Sequence, residues 1–389
     1  MKIIISSISL LFLSTLLQAQ KPITSIPFQL FGDHIVIKVS VDDSDPLDFI
    51  FDTGSGFTVI DNDISKALGL SGKKIAMEGT SYEWRLIKHN TIAINNFLME
   101  KNIKVYATEF DHLEISLGKD IDGIVGYDLL RHHSVNVNFD DMKIHVYDLG
   151  KAPKNGDAIS FDFDTSIPVI EGKVVLNNGE PHDGTFYFIT GAGATLDFNT
   201  PYAAQYDIIN KTGKHYSYLV KGLSKNETPH YEGHVISFAF GDQLIEDLPI
   251  GISTATEGIQ ASNSVSGIMG SQIIRMYNFT IDYGAKMIYL EKDKTFQPVF
   301  NVNCSGLDVQ LAEDKETVLI HEVFDEGPAA EAGIKLNDEL LEINGLAMSE
   351  VNLPTIKKML KKEGEEVSLV INQGGEEKEV SLKLRSLID

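Results

Sequence analysis

From residue 23 to 147 apolar and polar positions alternate in short runs. His34-Ile35-Val36-Ile37-Lys38-Val39-Ser40 and Asn102-Ile103-Lys104-Val105-Tyr106 are examples, each bounded by Gly, Asp and Asn clusters. A period of two over four to eight residues, closed by turn formers, predicts half-buried β-strands. Gly150-Lys151-Ala152-Pro153-Lys154-Asn155-Gly156 interrupts the pattern and reads as a linker. The strand texture then resumes to Leu290 and breaks again near Pro298. Beyond Asn303 short strands mix with one helical run, Leu353 to Lys362, that places Leu353, Ile356, Met359 and Leu360 on one face.

The two β-rich stretches can be laid on one another. Phe49-Ile50-Phe51-Asp52-Thr53-Gly54-Ser55-Gly56 matches Phe186-Tyr187-Phe188-Ile189-Thr190-Gly191-Ala192-Gly193. Asp122-Gly123-Ile124-Val125-Gly126 matches Ser266-Gly267-Ile268-Met269-Gly270, and Asn138-Phe139-Asp140 matches Thr280-Ile281-Asp282. Three landmarks in the same order, with loops of different length between them, predict two similar β lobes facing each other across an approximate two-fold axis. The expected division is a leader over 1–19, lobes over 23–150 and 156–296, and a further domain over 300–386.

Composition narrows the class. With 43% hydrophobic and 23% charged residues the 389-residue chain is globular, and its formal charge of -23 argues against nucleic acid as a partner. Its one cysteine, Cys304, rules out an intrachain disulfide. Met1-Lys2, the uncharged run Ile3 to Leu17 and Ala19 have the order of a signal peptide. An exported protein, periplasmic or secreted, with no membrane span after cleavage, is expected. The histidines show no metal-ligand spacing, so no metal is expected.

An apolar strand ending in Asp52-Thr53-Gly54, followed in the same lobe by Ile124-Val125-Gly126 and then repeated, resembles the aspartic peptidases of the pepsin and retropepsin type. The resemblance covers roughly residues 25 to 292. It implies an all-β fold of two lobes, aspartic-type endopeptidase activity with an Asp-activated water, polypeptide as substrate or ligand, no cofactor, and Asp52, Thr53 and Gly54 as catalytic residues. The family uses one carboxylate from each lobe, sharing a proton around one water. Here the second lobe offers Ile189-Thr190-Gly191, with isoleucine in the carboxylate's place. Three readings stay open: a peptide-binding pseudopeptidase, an endopeptidase in which Asp52 of two chains meet, or substitution by Asp183 or Asp197. A flap is expected over Glu78 to Trp84, with Gly79 at its turn and Tyr82 or Trp84 reaching the cleft. The alternative is a hairpin whose tryptophan packs on its own lobe.

Gly327-Pro328-Ala329-Ala330-Glu331-Ala332-Gly333, with Asn344-Gly345 further on, resembles the PDZ domains of bacterial envelope proteases, a β-rich module with two helices. By that resemblance Gly306, Leu307, Asp308 and Val309 form the carboxylate loop and strand edge, and Ile356 and Leu360 lie on the facing helix. A C-terminal peptide is the expected ligand of that groove.

Overall fold

The computed structural model describes residues 21–77, 83–95, 97–222 and 227–388. The leader, Gly79 and Tyr82 lie outside them. The chain is mostly β, and the described residues form three sheets. The repeated landmarks acquire the same pairing in each half. Leu47–Phe51 runs parallel to Gly123–Val125 with Ile50 opposite Ile124, and Pro181–Phe188 runs parallel to Gly267–Met269 with Tyr187 opposite Ile268. The short apolar strand is clasped on its other side by an antiparallel one, Thr58–Asp61 in the first lobe and Leu196–Phe198 in the second. Alternation along the strand explains the two faces. Phe49, Phe51, Phe186 and Phe188 enter the main core, whereas Ile50 and Tyr187 point to the opposite side.

The halves are joined by a six-stranded antiparallel layer, three strands from each. Its order is Asp157–Ser160, Met287–Lys292, Tyr277–Asp282, His133–Asn138, Lys143–Asp148 and Thr24–Phe31. Val137 lies opposite Phe279 at the junction, so the two-fold relation runs through a fully buried pair. Polar groups fix the register beside them. Ser134 donates to Asp282 Oδ2 at 2.6 Å, and the Phe139 N–H donates to Asn278 Oδ1 at 2.8 Å. Across the top, Arg275 pairs with Asp33 at 2.8 Å.

The third sheet follows the order Leu307–Leu311, Val318–Val323, Glu339–Ile343, Glu366–Gln373, Glu376–Lys383, with Leu346–Ala347 beside the third strand. Asn344 and Gly345 both take positive φ, 51° and 75°, at its tight hairpin. Helix Leu353–Met359 presses Leu353 and Ile356 into a core of their own with Leu307, Val309 and Leu369. It is a turn shorter than the apolar pattern suggested, because Leu360 caps it.

This domain rests on both lobes. Lys315 pairs with Asp111 (2.8 Å) and Glu114 (2.5 Å) of helix Asp111–Leu117, and Leu353 packs over Gly118, all in the first lobe. Phe324 stacks on Tyr216 at 4.9 Å, the Leu219 N–H donates to Glu322 Oε2 at 2.9 Å, and His321 meets Glu227 at 2.9 Å, all in the second.

Trp84 is the chain's one tryptophan and sits in the first lobe. Phe279→Ala, which opens a cavity at the junction, is expected to cost about 3–5 kcal/mol. In urea titration the Trp84 fluorescence transition should move to lower denaturant by that amount.

Candidate active site

The loops Asp52-Thr53-Gly54 and Ile189-Thr190-Gly191 meet at the seam. Thr53 and Thr190 make four hydrogen bonds across it, two of them to each other. Each N–H donates to the other's Oγ1 at 3.0 Å, Thr53 Oγ1 donates to the Phe188 carbonyl at 2.5 Å, and Thr190 Oγ1 donates to the Phe51 carbonyl at 3.0 Å. Both threonines are almost completely buried. Gly126, the glycine behind the first loop, is required by space, since a Cβ there would lie 1.8 Å from the Asp52 carbonyl oxygen.

Asp52 Oδ1 accepts the Gly54 N–H at 2.8 Å and the Gly191 N–H at 3.0 Å. One donor comes from each lobe. With Ile189 in the second position, the Gly191 N–H donates to Asp52, the acid of the opposite loop. Gly191 must be glycine for this, because a Cβ would fall 2.3 Å from Asp52 Cγ. The place a Cβ on Gly54 would take is 2.8 Å from Ile189 Cγ2 and 3.1 Å from Asp52 Oδ1, so isoleucine and carboxylate come together there. Ile189 is buried with Tyr187, Val265 and Ile268. Burial pushes the Asp52 carboxyl above the ordinary carboxylate range, against the pull of the two glycine N–H groups.

The other expected acids are elsewhere. Asp183 is exposed and paired with Lys173 at 3.3 Å. Asp197 is buried inside the second lobe, where the space beside Gly251 brings its Oδ1 near Tyr218. Burial raises its pKa, opposed by His230 and Gln260. Neither faces Asp52, so substitution by either is excluded. The place facing Asp52 is taken by the second lobe's own Thr190 and Gly191. Trp84 does not reach the cleft. It is 2% exposed and packs in its own lobe with Val36, Ile50 and Ile124, with Phe57 edge-on at 6.2 Å.

Sequence reasoning missed Tyr283. Its ring lies against Tyr127, Phe161 and Phe163, and its buried hydroxyl has no hydrogen-bond partner among the described residues. Burial raises its pKa, and the Asp52 charge adds to this. Its counterpart in the repeat is Asp141, so the repeat gave no signal. It also missed Asp164, whose Oδ2 accepts the Tyr187 and Ser264 hydroxyls. Two cavities of about 250 and 730 Å³ share Asp183, Thr185 and Ser266 on the second lobe, and neither is lined by Asp52 or Ile189.

In the C-terminal domain Gly306, Leu307 and Val309 lie at the sheet's edge, facing Ile356 and Leu360. The loop's N–H groups are already engaged. Those of Ser305 and Gly306 donate to Asn303 Oδ1 at 3.0 Å, and that of Leu307 donates to Ser305 Oγ at 3.2 Å. Asp308 pairs with Lys357 of the helix at 3.1 Å. Burial, with Asp308 and Glu227 nearby, pushes Glu322 up to about 7 despite the Leu219 N–H.

The family model for "Aspartyl protease" matches residues 37–129, and that for "PDZ domain" matches residues 305–384. The chain joins an aspartyl-protease-like domain to a PDZ domain. It is similar to the carboxy-terminal processing protease CtpB of Bacillus subtilis, 29% identical over 101 residues, a quarter of this chain (25%) and 21% of the relative. It is 28% identical to CtpA of the same organism over 86 residues, 22% of this chain and 18% of the relative. The chain thus spans about a fifth of the length of these curated relatives.

Two consequences are measurable. Thr190→Ala strands the buried Thr53 N–H and Phe51 carbonyl, and should cost about 2–4 kcal/mol in chemical denaturation. Asp52, with its folded pKa above the unfolded value, costs stability only once pH exceeds the unfolded pKa. The penalty grows as pH rises through the folded pKa. Asp52→Asn should therefore melt with wild type near pH 3 and above it at pH 7.

Proposed function

We propose that this protein binds extended polypeptide in the cleft between its lobes, with Asp52 as its polar anchor, and that the single chain does not assemble the two-carboxylate hydrolysis reaction. The observation that carries this reading is Asp52 Oδ1 accepting both glycine N–H groups while Ile189 stands opposite. The peptidase reaction needs an ionised carboxylate to take a proton from water and a protonated one to hydrogen-bond the peptide carbonyl. One carboxyl can fill only one of these roles at a time. Protonated, Asp52 donates to a bound carbonyl, and ionised, it accepts a bound N–H. Both are recognition.

A second reading, aspartic-type endopeptidase, is favoured by the intact Asp52-Thr53-Gly54 loop, its threonine lock and the aspartyl-protease match. In this reading Asp52 activates the water alone. The PDZ domain supplies a second polypeptide contact in either case. Export belongs to the same proposal, with Met1-Lys2 and the apolar run removed after Ala19. N-terminal sequencing of secreted material should then begin at Gln20.

Hydrolysis of a peptide library by purified protein between pH 3 and 7 separates the readings. Wild type is expected to be inert. Ile189→Asp should cleave, and adding Asp52→Asn should abolish that cleavage. Cleavage by wild type that disappears in Asp52→Asn would establish the endopeptidase reading instead. A wild-type rate rising with the square of protein concentration would indicate a dimeric site.

A further inference from the structure

We infer that the second-lobe side of the cleft holds a subsite for a lysine or arginine side chain of the bound polypeptide, with Asp164 as its recognition group. This rests on the cleft reading above and specifies its ligand. Asp164 ends the strand Asp162–Asp164, and the turn after it brings Ser166 against the first lobe's active loop. A Cβ on Gly56 would lie 2.6 Å from Ser166 Oγ. On the other side, Asp164 is tied to the strand that carries the loop facing Asp52. Tyr187, two residues before Ile189, donates its hydroxyl to Asp164 Oδ2, and Ser264 Oγ donates to the same oxygen at 2.8 Å. Asp164 is thus clamped beside the seam between two hydroxyl groups.

Its other oxygen, Oδ1, meets no donor or cation among the described residues. Lys286 pairs instead with Asp162 at 2.9 Å and lies over the Phe163 ring. The surroundings of Asp164 complete the site. Ile167, Val169, Val265 and Ile189 form an apolar cluster around Tyr187. An aliphatic stem ending in a cation suits such a place, since its methylenes pack on the apolar wall while the head reaches the carboxylate. Among the described residues the first lobe shows no equivalent. Ile50, the counterpart of Tyr187, sits in an apolar cluster with Val36, Val59 and Ile124 and has no hydroxyl to hold an acid. The pseudo-symmetric cleft is therefore chemically unequal, with a hydroxyl-clamped carboxylate beside Tyr187 that its counterpart Ile50 cannot hold. The chain's formal charge of -23 adds a long-range attraction for basic polypeptide.

The test measures binding of the full-length protein to capped decapeptides. Each carries lysine, norleucine or glutamate at one position in turn, in an otherwise uncharged sequence. At one position lysine is expected to bind about five- to tenfold tighter than norleucine, the range of a partly desolvated ion pair. Asp164→Asn retains an acceptor for Tyr187 and Ser264, and should erase the lysine preference while binding the norleucine peptide as wild type does. Asp164→Lys should reverse the preference toward glutamate at that position. Equal affinity of wild type for lysine and norleucine peptides at every position overturns the subsite but leaves the cleft reading standing. A lysine preference that survives in Asp164→Asn also overturns it. If no peptide binds and Ile189→Asp does not cleave, the cleft reading itself fails and the subsite with it.

Discussion

The four hydrogen bonds that Thr53 and Thr190 make across the seam, two to each other and two to the Phe188 and Phe51 carbonyls, are the constraint from which its geometry follows. Each hydroxyl accepts from the opposite backbone and donates to an opposite carbonyl, so neither loop is satisfied without the other. The lock depends only on threonine and the backbone. It therefore survives the replacement of the second carboxylate by Ile189 and holds the two loops in a peptidase-like arrangement although one acid is missing. Asp52 then finds the second lobe's glycine N–H within reach, and the isoleucine fills the space where a second acid would stand.

Electrostatics at the seam follow from that substitution. Two carboxylates share a proton because their mutual repulsion divides their pKa values. A lone carboxyl has no such partner, and its ionisation is set by burial against two N–H donors. The pull of those donors is outweighed by burial, so the group prefers its proton more than an exposed aspartate does. The same buried environment extends to Tyr283, whose phenol is held neutral by burial and by the nearby charge.

Much of this was legible in the sequence because the repeated residues act through the backbone. Gly126 and Gly191 are fixed by sub-van der Waals approaches, and the apolar strands pair in one register in each lobe, so motif order translated directly into structure. The position of Ile189 opposite Asp52 followed from the repeat for the same reason. Side-chain partnerships that cross between non-repeated segments were not legible. Asp164 meets Ser264, a hundred residues away in sequence, and the engagement of the Ser305 and Gly306 N–H groups by Asn303 is a local choice that no spacing rule announces. Trp84 shows the limit of reading a flap from composition. Its size favoured burial in the lobe's apolar face over a place in the cleft.

The shared six-stranded layer also shapes how the chain must be made. Strand His133–Asn138 is complete when the first lobe has emerged, yet its neighbour Tyr277–Asp282 is synthesised much later, and Ser134 waits for Asp282, 148 residues downstream. During that interval a half-finished sheet presents an open edge, which is the template on which unrelated strands add. Completion of the second lobe removes that edge, so the internal duplication also ends an aggregation hazard that its first half creates.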